Sequence, residues 1–168
     1  MALLGIVRPN ANNNELWSGH DYINIDEVVV QPNAGGGDVI SADKYDDMER
    51  QQYDMQTLSG VESVTQIVLW VYASGIPLES YKYLRLNIAP GGVWQTEQSK
   101  ALTTSMAWYS ATFNGTWTQA DLDSLLIGLT TDTMGTNDNT AVDVAYCEIY
   151  GTLVPPDYGD FFFFLGEG

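Results

Sequence analysis

Few residues of this chain are of a type and spacing to do chemistry. His20 is the single histidine, next to Asp21 in WSGHDYINIDE. A His–Asp pair can serve as base and orienter, but no serine or cysteine stands in a nucleophile context such as G-x-S-x-G. His20 therefore reads as a structural or exposed loop residue. Glycoside hydrolysis needs two carboxylates on one groove. The candidates are Asp26 with Glu27 and Asp143 with Glu148. Adjacent strand residues point to opposite faces, and an odd spacing has the same effect, so neither pair is suited to one substrate. Walker loops, dinucleotide glycine fingerprints and H-E-x-x-H are absent. No catalytic residue is assigned and no enzymatic activity is expected.

Binding chemistry has three candidates. The loop TDTMGTNDNT offers oxygens from Asp132, Asp138 and Asn139, but without the D-x-[DN]-x-[DN]-G spacing of a calcium loop. A solvated hairpin loop is the better reading, and no metal or cofactor is expected. Trp17, Trp94 and Trp117 lie near loops, where tryptophan either stacks on sugars or wedges a domain end shut. The sequon Asn114-Gly115-Thr116 matters only in a secretory pathway.

Bulk composition narrows the classes. Of 168 residues, six are Lys or Arg and 22 Asp or Glu, a net charge of −16. Phosphate backbones and anionic membrane surfaces are poor partners for such a chain. Cys147 is the only cysteine, so there is no intrachain disulfide, and its strand-like setting marks it as a small buried hydrophobe. The opening MALLGIVRPN is too short in apolar residues for a signal peptide, and VTQIVLWVYASGI is broken by Gln66 and Gly75. The expectation is a soluble protein made in a host cytoplasm.

Strands must position whatever site exists. LLGIVR (3–8), YINIDEVVVQ (22–31), VESVTQIVLWVYA (61–73), YKYLRLNIA (81–89), ALTTSMAWYSATF (101–113) and AVDVAYCEIYGTL (141–153) carry β-branched residues or period-two alternation. The run 61–73 reads as a central strand covered on both faces. Leu84, Leu86 and Ile88 face one way against Tyr83, Arg85 and Asn87. Leu102, Met106 and Trp108 are assigned to one face and Ala107, Tyr109 and Phe113 to the other. Ala145, Cys147, Ile149 and Leu153 form a further apolar side.

Pro9 and the asparagines after it read as a turn. In 114–129, Leu122, Leu125, Leu126 and Leu129 follow helical spacing, with Thr118 as N-cap, Asp121 completing a capping box and Gly128 ending the turn. Residues 41–58 fit either a helical face or an extended arm. The sum is an all-β fold: a jelly-roll or lectin-like β-sandwich over 1–153 with one short helix, extended terminal segments and a loop or arm insertion at 32–60.

The chain ends PPDYGDFFFFLGEG. Four buried phenylalanines would hide about 600–1000 Å², more than the few hundred Å² of contiguous apolar surface that a monomer commonly exposes. Residues 154–168 are accordingly read as a docking tail, with Phe161, Phe162, Phe163, Phe164 and Leu165 as its contact residues.

In order, NNNELWSGHDYINIDEVV, VTQIVLWVYASG, LRLNI, TWTQADLDSLLIGL and VAYCEIYGTL resemble a class of β-sandwich virion proteins of tailed bacteriophages, over about residues 10–153. That resemblance implies a non-enzymatic capsid decoration (cement) protein on the capsid exterior of the virion. Its expected partners are the major capsid protein and copies of itself, in a homo-oligomer such as a trimer, with neither nucleic acid nor membrane involved. The alternative is a carbohydrate-binding module of a tail-fibre or receptor-binding protein, which predicts exposed aromatics lined up on one concave sheet face. A glycan hydrolase is a third reading, requiring a carboxylate pair in a cleft.

Overall fold

The computed structural model describes residues 1–14, 25, 40–42, 50–76, 83–131 and 139–155. Its elements are β1 (Ala2–Val7), β2 (Pro9–Asn14), β3 (Ile40–Ala42), β4 (Arg50–Met55), β5 (Val61–Ile76), β6 (Tyr83–Ala89), β7 (Gln98–Ala101), β8 (Ala107–Trp117), α1 (Gln119–Asp123), β9 (Leu126–Thr131) and β10 (Asn139–Leu153). They form two antiparallel five-stranded sheets. Sheet A runs β1-β10-β5-β8, with β3 also on β10; sheet B runs β2-β4-β9-β6-β7. This is the expected β-sandwich.

Period two decides what each face carries. From sheet A, Ile67, Leu69, Val71, Ala145, Cys147 and Ile149 point inward; from sheet B, Tyr53, Leu84, Leu86, Ile88, Ile127 and Leu129 meet them. Full burial stabilises each large aliphatic side chain by about 1.5–3 kcal/mol, so the interleaved layer holds the sheets face to face. Ile25 joins this core, and its carbonyl accepts from the Ala145 amide at 2.9 Å.

Several local expectations are corrected. The asparagine run after Arg8 is the edge strand β2, paired with β4. Pro9 is tolerated there because it is the first residue of the strand. The segment 32–60 contains β3 and β4, and β4 lies inside sheet B between β2 and β9, so Arg50–Met55 is sheet and neither helix nor arm. The helix is shorter than the leucine spacing implied. The Thr118–Asp121 capping box forms as expected, but the helix stops at Asp123. Leu126–Thr131 then pairs with both β4 and β6. LLIGL satisfies the strand period as well as the helical one, and two ladders of hydrogen bonds settle the choice. Gly128 therefore lies within β9 and not at a helix end.

Leu102 and Trp108 do not share a face. The chain leaves sheet B after β7 and enters sheet A at β8, so the alternation restarts between them; Leu102 is buried and Trp108 exposed. Leu153, the last residue of β10, is also exposed, although its Cα partner Val61 is buried. The stretch 22–31 lies outside the described residues except for Ile25, and the tail 156–168 lies wholly outside them.

Where the β10 register shifts between Tyr150 and Gly151, the glycine is pressed against β5. A Cβ there would stand 1.9 Å from the Ser63 carbonyl oxygen, and backbone cannot yield as a side chain can. Gly151→Ala is expected to destabilise the fold by more than about 2 kcal/mol. Denaturant unfolding of the variant beside Gly60→Ala, whose added Cβ meets nothing within 4 Å and whose cost is that of its φ of +76° alone, separates the steric cost from a conformational one.

Candidate functional site

The pleat that sends Leu69 and Val71 inward sends Trp70 and Tyr72 outward on β5. Register carries the same face across sheet A. Tyr146 of β10 lies opposite Trp70, Glu148 opposite Val68 and Tyr150 opposite Gln66. On β8, Trp108 lies opposite Tyr72 and Asn114 opposite Gln66. Four aromatic rings from three adjacent strands are thereby gathered into one surface.

Their geometry is that of a packed cluster. Trp70 and Tyr146 have ring centroids 6.3 Å apart with planes 14° from parallel. Tyr72 and Trp108 are 5.1 Å apart and tilted by 43°. Trp108 meets Tyr146 edge-on at 5.8 Å. Offset and edge-to-face arrangements of this kind suit the ring quadrupoles and fix ring planes. Trp108 is the most open of the four, 37% exposed, and Tyr146 is buried beneath its neighbours.

Glu148 ties this cluster to a polar border. Its Oε2 accepts from Trp70 Nε1 at 3.1 Å and from the Tyr150 hydroxyl at 2.9 Å. Among the described residues no donor reaches Oε1, which is left to accept from outside. Further along the face, Gln66 Nε2 donates to Asn114 Oδ1 at 2.9 Å, and Ser110 and Thr112 follow Asn114 on the same side of β8. The β1 edge adds Leu3 and Ile6, paired with Tyr150 and Glu148 and both exposed.

Titration behaviour follows from this packing. Burial, reinforced by Glu148 and Tyr150 and partly offset by Arg8, pushes the Tyr146 phenol up to about 12. The Tyr150 phenol is also raised, first by its hydrogen bond to Glu148. Burial raises the Cys147 thiol, which points into the core as expected and stays protonated. Neither phenol is a base at neutral pH; both act as neutral donors or as surfaces.

Most of the residues singled out in the sequence are not brought together here. Trp17, His20, Asp26, Glu27, Asp132, Asp138, Phe161, Phe162, Phe163, Phe164 and Leu165 lie outside the described residues, and of Asn139 only the strand backbone is described, paired with Ile76. Trp117 is a core residue. Asp143 is buried at the β10 irregularity between Val142 and Val144, whereas Glu148 faces outward, so that pair lines no common groove. Among the described residues no three His, Cys, Asp or Glu gather to hold a metal. Trp94 does reach the surface, on the other sheet, where Arg50 lies over its ring.

The residues that sequence reasoning missed are Trp70, Tyr72, Trp108, Tyr146 and Tyr150. Their signal was aromatic residues at even spacing within strands already recognised (70/72 and 146/150). The run 61–73 reads as covered on both faces, but among the described residues no second layer comparable to the core covers the outer face of β5, and Trp70 and Tyr72 are half-buried.

No protein-family model matches the chain, and no curated protein matches it. Solved structures do resemble its fold. The CBM36-1 domain of a multidomain xylanase from the hindgut metagenome of Trinervitermes trinervoides has a TM-score of 0.48 at 14% identity, over 88% of this chain and 97% of its own. The apo CBM1 module of BiXyn10A has a TM-score of 0.45 at 14% identity, over 90% of this chain and all (100%) of its own. TmCBM61, solved in complex with β-1,4-galactotriose, has 0.43 at 12% identity, over 84% and 86%.

These likenesses concern the fold. The expectation of a capsid decoration protein with a major-capsid-protein partner is corrected here. The structures just named are carbohydrate-binding modules, and the prominent described feature is an aromatic sheet face.

The Tyr146 shift has a definite consequence for stability. The folded state holds this proton to about pH 12, whereas an unfolded tyrosine releases it near 10.0. Stabilisation from the neutral, packed phenol is thus complete below pH 10.0 and is lost as pH rises towards 12. Denaturation midpoints compared at about pH 9 and about pH 11 should fall further for the natural chain than for Tyr146→Phe.

Proposed function

We propose that this chain is a glycan-binding module that holds its ligand on the outer face of sheet A without transforming it. The observation that carries the proposal is the ring cluster of Trp70, Tyr72, Trp108 and Tyr146 beside Glu148. A pyranose ring has C–H-bearing faces and a rim of hydroxyls. The C–H faces are weakly positive and apolar, so they settle on the negative faces of aromatic rings. The hydroxyl rim needs acceptors and donors close by, and Glu148 Oε1, the Tyr150 hydroxyl and the Gln66–Asn114 amides provide them.

Pre-organisation strengthens this reading. The rings are held by each other and by the indole–carboxylate hydrogen bond, so little side-chain freedom remains to be lost on binding. The separation of Asp143 from Glu148 favours binding over hydrolysis, which needs both carboxylates at one bond. The ordered motif resemblance gives the module a setting on a tailed-phage virion, as the adhesive part of a tail fibre or receptor-binding protein.

Trp108→Ala tests the site. Removing the most open ring should weaken retention by the polysaccharide that the natural chain prefers by about tenfold or more, as loss of a central aromatic anchor commonly does. The unfolding midpoint should change little, because the ring is not in the core. Affinity electrophoresis through gels containing neutral polysaccharides reads both proteins side by side. If every polysaccharide leaves the natural chain unretarded, or if Trp108→Ala is retarded equally, the proposal fails.

A further inference from the structure

The hydrogen bonds around Glu148 decide what kind of group a ligand can bring to the ring face of sheet A. Two donors beside the carboxylate are already spent on it. The Trp70 indole N–H and the Tyr150 hydroxyl proton both go to Glu148 Oε2, at 3.1 and 2.9 Å. A phenol that has given its proton away has only lone pairs left to offer, so Tyr150 presents an acceptor. Glu148 Oε1, which no described donor reaches, is a second acceptor. Across the strands, Glu148 stands opposite Val68 of β5 and Ile6 of β1, whose side chains have no polar group. Within the Trp70–Glu148–Tyr150 group, every polar contact left to a ligand is therefore an acceptor.

The charge of this group is open as well. Among the described residues the ion pairs join Arg50 and Arg85 to Glu97, at the other sheet. Arg8, which follows β1, acts on the Tyr146 phenol but forms no described ion pair with Glu148. At longer range the net charge of −16 draws cations towards the chain.

A sugar hydroxyl is a poor match for such a group, because its own lone pairs find no donor there. An ammonium has three donors and no acceptor, and it carries the charge that complements Glu148. The neighbouring rings act in the same direction, since a cation within about 6 Å of an aromatic centroid is attracted to the ring face. With centroids 5.1–6.3 Å apart, the rings pack on one another and leave no hollow between them for a compact quaternary ammonium. They form a surface, and a surface suits a flat ring with the ammonium on its rim.

We propose that the sheet A site is selective for glycans of amino sugars whose amine is free. The ammonium sits on Glu148 Oε1 and the Tyr150 oxygen, and the sugar ring covers the aromatic cluster. This rests on the glycan-binding reading above and narrows its ligand.

Calorimetric titration of the intact chain with the trimer of β-1,4-linked glucosamine and with its N-acetylated counterpart tests the proposal. The two share ring and linkage and differ in charge at the nitrogen. At about 0.15 M ionic strength, where exposed charges beyond about 8 Å are largely screened, the free amine should bind about tenfold more tightly. Glu148→Gln keeps an amide oxygen for Trp70 and Tyr150 and should bring the two trimers within about twofold of each other. Glu62→Gln removes a charge on the same strand about 26 Å from Trp70, and should leave the preference as it is. Trp108→Ala should weaken both trimers. Equal binding of the trimers, tighter binding of the acetylated one, or binding of neither overturns the proposal. So does a preference that survives Glu148→Gln, which would be mere attraction of a cation to an acidic protein. Displacement of the amine trimer by an equal concentration of choline overturns it too, by making the site a receptor for any ammonium. Each of these outcomes leaves the glycan-binding reading standing, which falls only if neutral polysaccharides also go unretained.

Discussion

The long antiparallel pairing of β5 with β10 is the constraint on which the rest of the molecule depends. It runs from Asn139 opposite Ile76 to Leu153 opposite Val61, with three register shifts on the way. Because side chains alternate with period two, the regular stretch from Val144 to Tyr150 fixes two surfaces at once. Ile67, Leu69, Cys147 and Ile149 go to the core, and Trp70, Glu148 and Tyr146 go to the outside. A slip of one residue would bury the carboxylate and expose the thiol. The full burial of the inner set therefore holds the outer set in place, and the aromatic surface needs no separate scaffold.

Irregularities in that ladder matter as much as its regularity. The shift between Val142 and Val144 takes Asp143 out of the β5 register and leaves it buried, whereas Glu148, in regular pairing, stays on the open face. Two carboxylates that look similar in sequence are thus given unlike environments by one extra residue. Near the other end, Gly151 lets β10 press against the Ser63 carbonyl. Leu153, at the very end of the strand, is exposed although it lies opposite the buried Val61. The short helix is tied to the same strand. Gln119 accepts from the Val61 amide and donates to the Leu58 carbonyl, which moors α1 at the start of β5.

How much of this was legible in the sequence depends on whether a local signal met competition. Leu84, Leu86 and Ile88 alternate cleanly and take the core side of β6, and Thr118 with Asp121 forms its capping box, because both features are decided within a few residues. Where two periods fit one string, tertiary pairing decided: LLIGL went to β9 because β4 and β6 both offered it a ladder. The asparagines of β2 have low strand propensity and became an edge strand only through β4, a partner some forty residues away that no local reading supplies. The site was hidden for a related reason. Trp70, Tyr146 and Trp108 are far apart in the chain and meet only through the order β10-β5-β8. By contrast, Trp94 and Trp117, noticed for lying near loops, went to the second sheet face and to the core.

Net charge invites a similar error about partners. A formal charge of −16 describes the field at a distance, where the molecule repels anions. At contact distance the potential is set by the nearest few groups, because screening confines each charge to about 8–10 Å. On the outer face of sheet B they include the Arg50 guanidinium, stacked on Trp94, and the Glu97 carboxylate between Arg50 and Arg85. The same chain therefore has one sheet face of aromatic rings bordered by an acid and another of cations stacked on an aromatic ring. An average over the sequence records neither. The acidic composition excludes a polyanion that must wrap the surface.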